Sequence, residues 1–140
     1  MKTNITLLYN GQTEEAFNFY RSIFGGDFMA IARMSDMPGE HTVPPEYANK
    51  ILHMNMSVGS SIISGMDLPA GRPPVAPGGN FMINIDTDSE AETTRFYNAL
   101  AEAGEVRIEL GHQFWGPFFG MVTDKFGITW MLNYVNQEQS

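Results

Sequence analysis

Few side chains in this sequence are equipped for chemistry, and their kinds narrow what that chemistry is. None of the 140 residues is a cysteine, which excludes disulfides, thiolate metal sites and cysteine nucleophiles. Of the three histidines, only His53 is embedded in a strand-like stretch, Ile51-Leu52-His53-Met54-Asn55-Met56-Ser57. Its imidazole could act as a general base, although a hydrogen-bonded structural histidine is the plainer account. His112, in the approach to an aromatic stretch, could gate a cavity or simply lie at the surface. His41 sits in a polar loop and receives no role, and Tyr9 and Tyr20 read as packing residues. There is no serine-histidine-acid set with an elbow motif and no glycine-lysine phosphate loop. What remains is amides, one imidazole and aromatic rings. Such a set suits recognition of a small organic molecule: rings supply buried area, and two or three polar groups fix its orientation.

These side chains need ordered elements to hold them. The richest stretch in ring area, Phe114-Trp115-Gly116-Pro117-Phe118-Phe119, leads into Asp124-Lys125-Phe126-Gly127 and then Ile128 to Val135. This predicts a hairpin with strands over 114–123 and 128–135 and a turn that places Gly127 at positive φ. Ile128, Trp130 and Leu132 would form its apolar face, and Thr129, Met131 and Asn133 the mixed one. Upstream, a strand is expected over 5–10 and a helix over 14–24, opened by Thr13 as N-cap and stopped by Gly25-Gly26. A strand over 28–34 follows. A polar loop over 35–49 is then long enough to act as a lid. Strands are expected over 50–58 and 60–66. In the first, alternation puts Ile51, His53, Asn55 and Ser57 on one face, and Leu52, Met54, Met56 and Val58 on the other.

Residues 68–79 hold four of the eight prolines and three glycines and read as a linker. Beyond it, a strand over 81–86 sets Met82, Asn84 and Asp86 on one face. Ser89-x-x-Glu92 is a capping box for a helix through Ala103, with Gly104 as its stop. A strand over 106–110 completes the set. The order is βαβββ, linker, βαβββ, an α+β domain with module one over 3–67 and module two over 80–136. A shift of 77 positions (15 to 92) lays Glu15 on Glu92, Phe19 on Phe96 and Tyr20 on Tyr97, as an internal repeat would.

Composition bounds the partners. Sixteen acidic against eight basic residues leave a net charge of −8. With no basic cluster, neither nucleic acid nor an anionic membrane surface is an expected partner. No apolar run nears the ~20 residues of a membrane helix, and no signal-peptide core opens the sequence, so a cytoplasmic protein is expected. Ten methionines fit a deformable core or pocket.

The two modules resemble the vicinal-oxygen-chelate superfamily, which includes glyoxalase I, extradiol dioxygenases, and the fosfomycin and bleomycin resistance proteins. More narrowly the chain is similar to its PhnB-like branch. The likeness rests on Asn10-Gly11-x-x-x-Glu15-Ala16-x-x-Phe19-Tyr20-x-x-x-Phe24-Gly25-Gly26, on Ile51-Leu52-His53, and on Phe114-Trp115-Gly116-x-x-x-Gly120-x-x-x-Asp124-x-Phe126-Gly127-x-x-Trp130. It implies two half-barrels of cupped, mixed sheet around a cavity, helices outside. It implies too that the strand faces turned from the helices converge there with Trp115 and one of Phe118 or Phe119. The ligand-binding set is then His53, Asn55, Asn84, Trp115, Phe118, Met131 and Asn133, with His53 the candidate catalytic residue.

Enzymes of the superfamily hold a divalent metal through a His or Glu on the first and last strand of each module. The matching positions here fall near Ile5 and Asn80 and at Met131, which are poor ligands for zinc, iron or manganese. The nearest alternative in strand four is Asp67, at its very end, so no metal and no other cofactor is expected. The branch is sometimes labelled a demethylubiquinone methyltransferase, but no Gly-rich strand-to-helix turn for a nucleotide-like cofactor is present. The expected function is metal-free binding of a small organic ligand by a homodimer. The rival is a metal-dependent lyase, isomerase, transferase or dioxygenase that uses non-standard ligands such as His53.

Overall fold

The computed structural model describes residues 1–37, 43–114 and 116–135, so His41 and Trp115 lie outside the described residues. It divides into two compact units, Met1–Ala76 and Pro77–Ser140.

In the first unit, β1 (Ile5–Tyr9), α1 (Thr13–Phe24), β2 (Phe28–Arg33), β3 (Ile51–Val58) and β4 (Ser61–Asp67) follow one another, with short 3-10 turns at Met34–Asp36 and Pro45–Tyr47. The sheet order is β1-β4-β3-β2. β1 runs parallel to β4, and the other pairs are antiparallel. Leu7, Tyr9, Met54, Met56 and Ile63 are buried, as are Phe17, Tyr20 and Ile23 of α1. The helix lies close on β4 because Gly65 has no side chain: a methyl group there would sit 2.7 Å from carbons of Phe17 and Thr13. The Tyr9 and Tyr20 hydroxyls are 2.9 Å apart in this core, which makes them packing residues.

Thr13 does not cap α1. It is the first helical residue, and the Gln12 before it makes no side-chain cap. The cap comes from Asp67 at the far end of β4. Its Oδ1 accepts the Thr13 N–H (3.0 Å) and hydroxyl (2.6 Å), and its Oδ2 accepts the Ile51 N–H (2.8 Å). A carboxylate suits the positive end of the helix dipole.

The second unit repeats the order as β5 (Ile83–Asp86), α2 (Glu90–Ala101), β6 (Glu105–His112), β7 (Phe118–Thr123) and β8 (Thr129–Tyr134), arranged β5-β8-β7-β6. Both helices have 12 residues, and their first residues lie 77 apart (13 to 90), so the repeat seen in the sequence is kept in the elements. Ser89 caps α2 by accepting the Glu92 N–H at 3.0 Å, while Glu92 Oε1 accepts from Asp88 N–H rather than from Ser89. The helix ends at Ala101, two residues early. Ala103, not Gly104, takes the left-handed backbone, at φ 58°.

Two strands are shorter than the sequence indicates. β5 begins at Ile83, opposite Trp130, leaving Phe81 and Met82 exposed outside the ladder. β7 begins only at Phe118, and ahead of it Gln113 N–H donates to Pro117 O and Gly116 N–H to Gln113 O. Pro117, with no N–H to give, marks where the ladder starts. β6 is correspondingly longer and takes in His112, so His53 is not the only histidine in a strand. The β7–β8 turn forms at Asp124 to Gly127 as expected, with Gly127 at φ 90°, and Ile128, Trp130 and Leu132 are buried.

Candidate functional site

Each sheet has one face under its helix and one turned away, and the second carries the polar side chains. In the first unit, β2 and β3 fall out of register between Ala32 and Arg33: Ala32 pairs with His53, but Arg33 pairs with Ile51. Leu52 is the extra residue of a β-bulge, which puts it on the same side as His53. Ile51 thereby turns into the core and is buried, whereas simple alternation had grouped it with His53. His53 is exposed, and Asn55 and Ser57 are half-buried beside it. Their cross-strand neighbours on β2 are small, Ala32 for His53 and Ala30 for Asn55. His53 makes no hydrogen bond among the described residues. Asn55 Oδ1 is buried and has no hydrogen-bond partner among those residues.

In the second unit, Asn84 pairs with Met131 and Asp86 with Asn133. Asp86 Oδ1 accepts from Asn84 Nδ2 at 3.1 Å and from Asn133 Nδ2 at 3.4 Å. At the other end of the same face, the Thr123 and Thr129 hydroxyls lie 2.9 Å apart, and Arg107 Nε donates to Thr123 Oγ1 at 3.0 Å. Between these polar ends Met121 pairs with Met131 and Phe119 with Asn133, which makes an apolar band. Phe118 is not part of it. It pairs with Tyr134 on the α2 side of the sheet, where its ring lies 4.8 Å from that of His112. His112 itself is exposed, with Nε2 3.0 Å from Glu90 Oε1 of α2. Phe119 and Met121 therefore take the place given to Phe118. The signal was available: the Asp124–Gly127 turn pairs Thr123 with Thr129, and counting back by twos reaches Met121 and Phe119.

The positions that would hold the superfamily's metal do not offer a donor set. Ile5 and Met131 lack nitrogen and oxygen side-chain donors. Asp67, 2% exposed, already accepts three hydrogen bonds on the helix side of its sheet. No group of three or more His, Asp or Glu residues able to hold an ion occurs among the described residues.

Electrostatics beside α1 are local. Arg33 makes a two-pronged contact with Glu14, Nη1 to Oε1 at 3.0 Å and Nη2 to Oε2 at 2.7 Å, and donates also to Asn49 O at 2.9 Å. The hydrogen bonds from Arg33 hold the Glu14 carboxyl below the ordinary glutamate range. The pair ties the first turn of α1 to the end of β2 and to the segment before β3.

The family described as 3-demethylubiquinone-9 3-methyltransferase matches residues 1–133. The chain belongs to this family. Among solved structures, protein PA1353 from Pseudomonas aeruginosa is 36% identical over 96% of this chain and 98% of its own, with a TM-score of 0.85. The PhnB protein of Bacillus cereus is 23% identical over 96% and 100%, with a TM-score of 0.78. The fosfomycin resistance protein FosX of Listeria monocytogenes is 13% identical over 99% and 96%, with a TM-score of 0.66. At that identity the likeness is one of fold. The βαβββ pair has the glyoxalase-like fold. Among the described residues no helix is long and apolar enough to cross a membrane.

Proposed function

We propose that the protein is a PhnB-like small-molecule-binding protein that takes a neutral or weakly polar organic ligand on the helix-free faces of its sheets, without the metal of the superfamily's enzymes. The observation that carries this is Asn55 Oδ1, buried and without a hydrogen-bond partner among the described residues, beside an exposed His53. A buried acceptor left without a donor costs about 1–3 kcal/mol, and an incoming hydroxyl or amine would offset that cost. The band of Phe119, Met121 and Met131, with amides at its end, has the makeup of a ligand surface. Asn84, Met131, Asn133 and Trp115 complete the proposed contacts, with the protein acting as a cytoplasmic homodimer.

Methyl transfer, named in the family description, would need a seat for a methyl donor. Strand-to-helix turns commonly supply one. Here one first-turn N–H of α1, that of Thr13, is taken by Asp67, and one of α2, that of Glu92, by Ser89. Neither turn has the Gly-rich sequence of a nucleotide-like cofactor site, which supports binding over group transfer.

The test is a screen of small aromatics, quinones, antibiotics and thiol conjugates by thermal shift and tryptophan fluorescence, with and without divalent metal. Saturable binding without metal is expected, weakened by His53→Ala, Asn55→Ala and Met131→Ala. Equal binding by all three variants refutes the surface. One equivalent of metal in the purified protein, lost on His53→Ala, would favour the metal-dependent enzyme instead.

A further inference from the structure

The first unit contains an open-sided pocket of about 230 Å³ that the sheet-face reading does not use. Met34, Met37, Pro44, Tyr47, Leu52 and Met66 form most of its wall. Its shape follows from two features already described. The bulge brings Leu52 out of the core to this side, and the residues just after β2 and just before β3 lie together beside it. They are pinned by backbone hydrogen bonds, Met34 N–H to Lys50 O at 2.9 Å and Ser35 N–H to Ala48 O at 3.0 Å. The Arg33–Asn49 contact adds a third tie.

The lining chemistry names the ligand. Asp67 borders the pocket but spends both carboxylate oxygens on Thr13 and Ile51, so no uncommitted charge faces a guest. The Tyr47 hydroxyl is the remaining polar group of the six. Three thioethers make favourable contacts with aromatic rings and adapt to their outline. An apolar cavity of about 150 Å³ is known to hold benzene, so this space suits roughly six to ten heavy atoms.

We propose that this pocket binds a neutral single-ring aromatic molecule carrying one hydroxyl or carbonyl group, with the ring among Met34, Met37 and Met66 and the polar group toward Tyr47. The pocket opens on the same side of its sheet as His53, but its lining shares no residue with the contacts proposed above, so either reading can fail without the other.

The experiment uses the full chain with carbon-13 in its methionine methyl groups, titrated with p-cresol. Saturable shifts are expected at the Met34, Met37 and Met66 methyls, with those of Met121 and Met131 unmoved. Leu52→Trp, which fills the space, should weaken binding by roughly tenfold or more. The core signals of Met54 and Met56 show whether that variant is folded. If it is not, Met37→Ala at the half-buried rim serves in its place, and an affinity equal to that of the unaltered protein overturns the proposal. Shifts confined to Met121 and Met131, or none up to the solubility of p-cresol, overturn it as well.

Discussion

Asp124 shows how a carboxylate in this chain can be fully spent on architecture. It is 3% exposed, and its Oδ1 accepts the N–H groups of Phe126 (2.8 Å) and Ile128 (3.1 Å) while Oδ2 accepts Trp130 Nε1 at 2.9 Å. The turn and the indole are thus fixed by one side chain. Asp124→Asn keeps one oxygen but can set an amide N–H against the indole N–H. It should destabilise by roughly 2 kcal/mol, read as a lower urea midpoint with an unchanged slope. Glu14 behaves differently because it is half exposed. Its carboxyl is held low by Arg33, so its contribution is present above the unfolded glutamate value of about 4.3 and is lost as pH falls through the folded one. Glu14→Gln should therefore cost at most about 1 kcal/mol at neutral pH. That difference should vanish in acid, and a gap that persists at low pH would mean packing rather than charge is responsible.

At the scale of elements, the left-handed Ala103 is the point of strain. A residue with a Cβ in that conformation costs about 1–2 kcal/mol, partly offset by the lower entropy of its unfolded chain relative to glycine. Ala103→Gly is expected to raise the melting temperature slightly, and a fall would show that the methyl group packs. What the sequence disclosed about elements follows how local each cause is. The period-two pattern of β8 and the Asp124–Gly127 turn are set by neighbours within a few residues, and both stand as read. Pro117 carried a local signal too, since its missing N–H decides where β7 begins. The bulge at Leu52 depends on the register of β2, and the cap on α1 comes from Asp67, 54 residues from Thr13. Neither leaves a mark in its own segment. Hence the placement of Ile51 and the N-cap went astray while the element order did not. For the candidate site, alternation alone brought out Asn84, Met131 and Asn133 on one face. Phe119 for Phe118 needed the register as well.

For the whole molecule, the sheet edges argue for self-association. β6 is an edge strand, but Glu105, Arg107 and Glu109 alternate with its apolar residues, a pattern that discourages further pairing. β2 is one edge of the other sheet, β1 being the second, and has no charged residue from Phe28 to Ala32. Met29 is 56% exposed and Ile31 42%, so this edge presents unguarded backbone together with apolar side chains. A net charge of −8 opposes non-specific association but places no charge on that strand. A homodimer joined along β2 is the expected outcome, seen as twice the chain mass in light scattering at micromolar concentration. Ile31→Lys puts a charge on the edge and should shift the protein to monomer without lowering its urea midpoint by more than about 0.5 kcal/mol equivalent. A wild-type monomer would refute the dimer, and a variant that stays dimeric would move the interface to another surface.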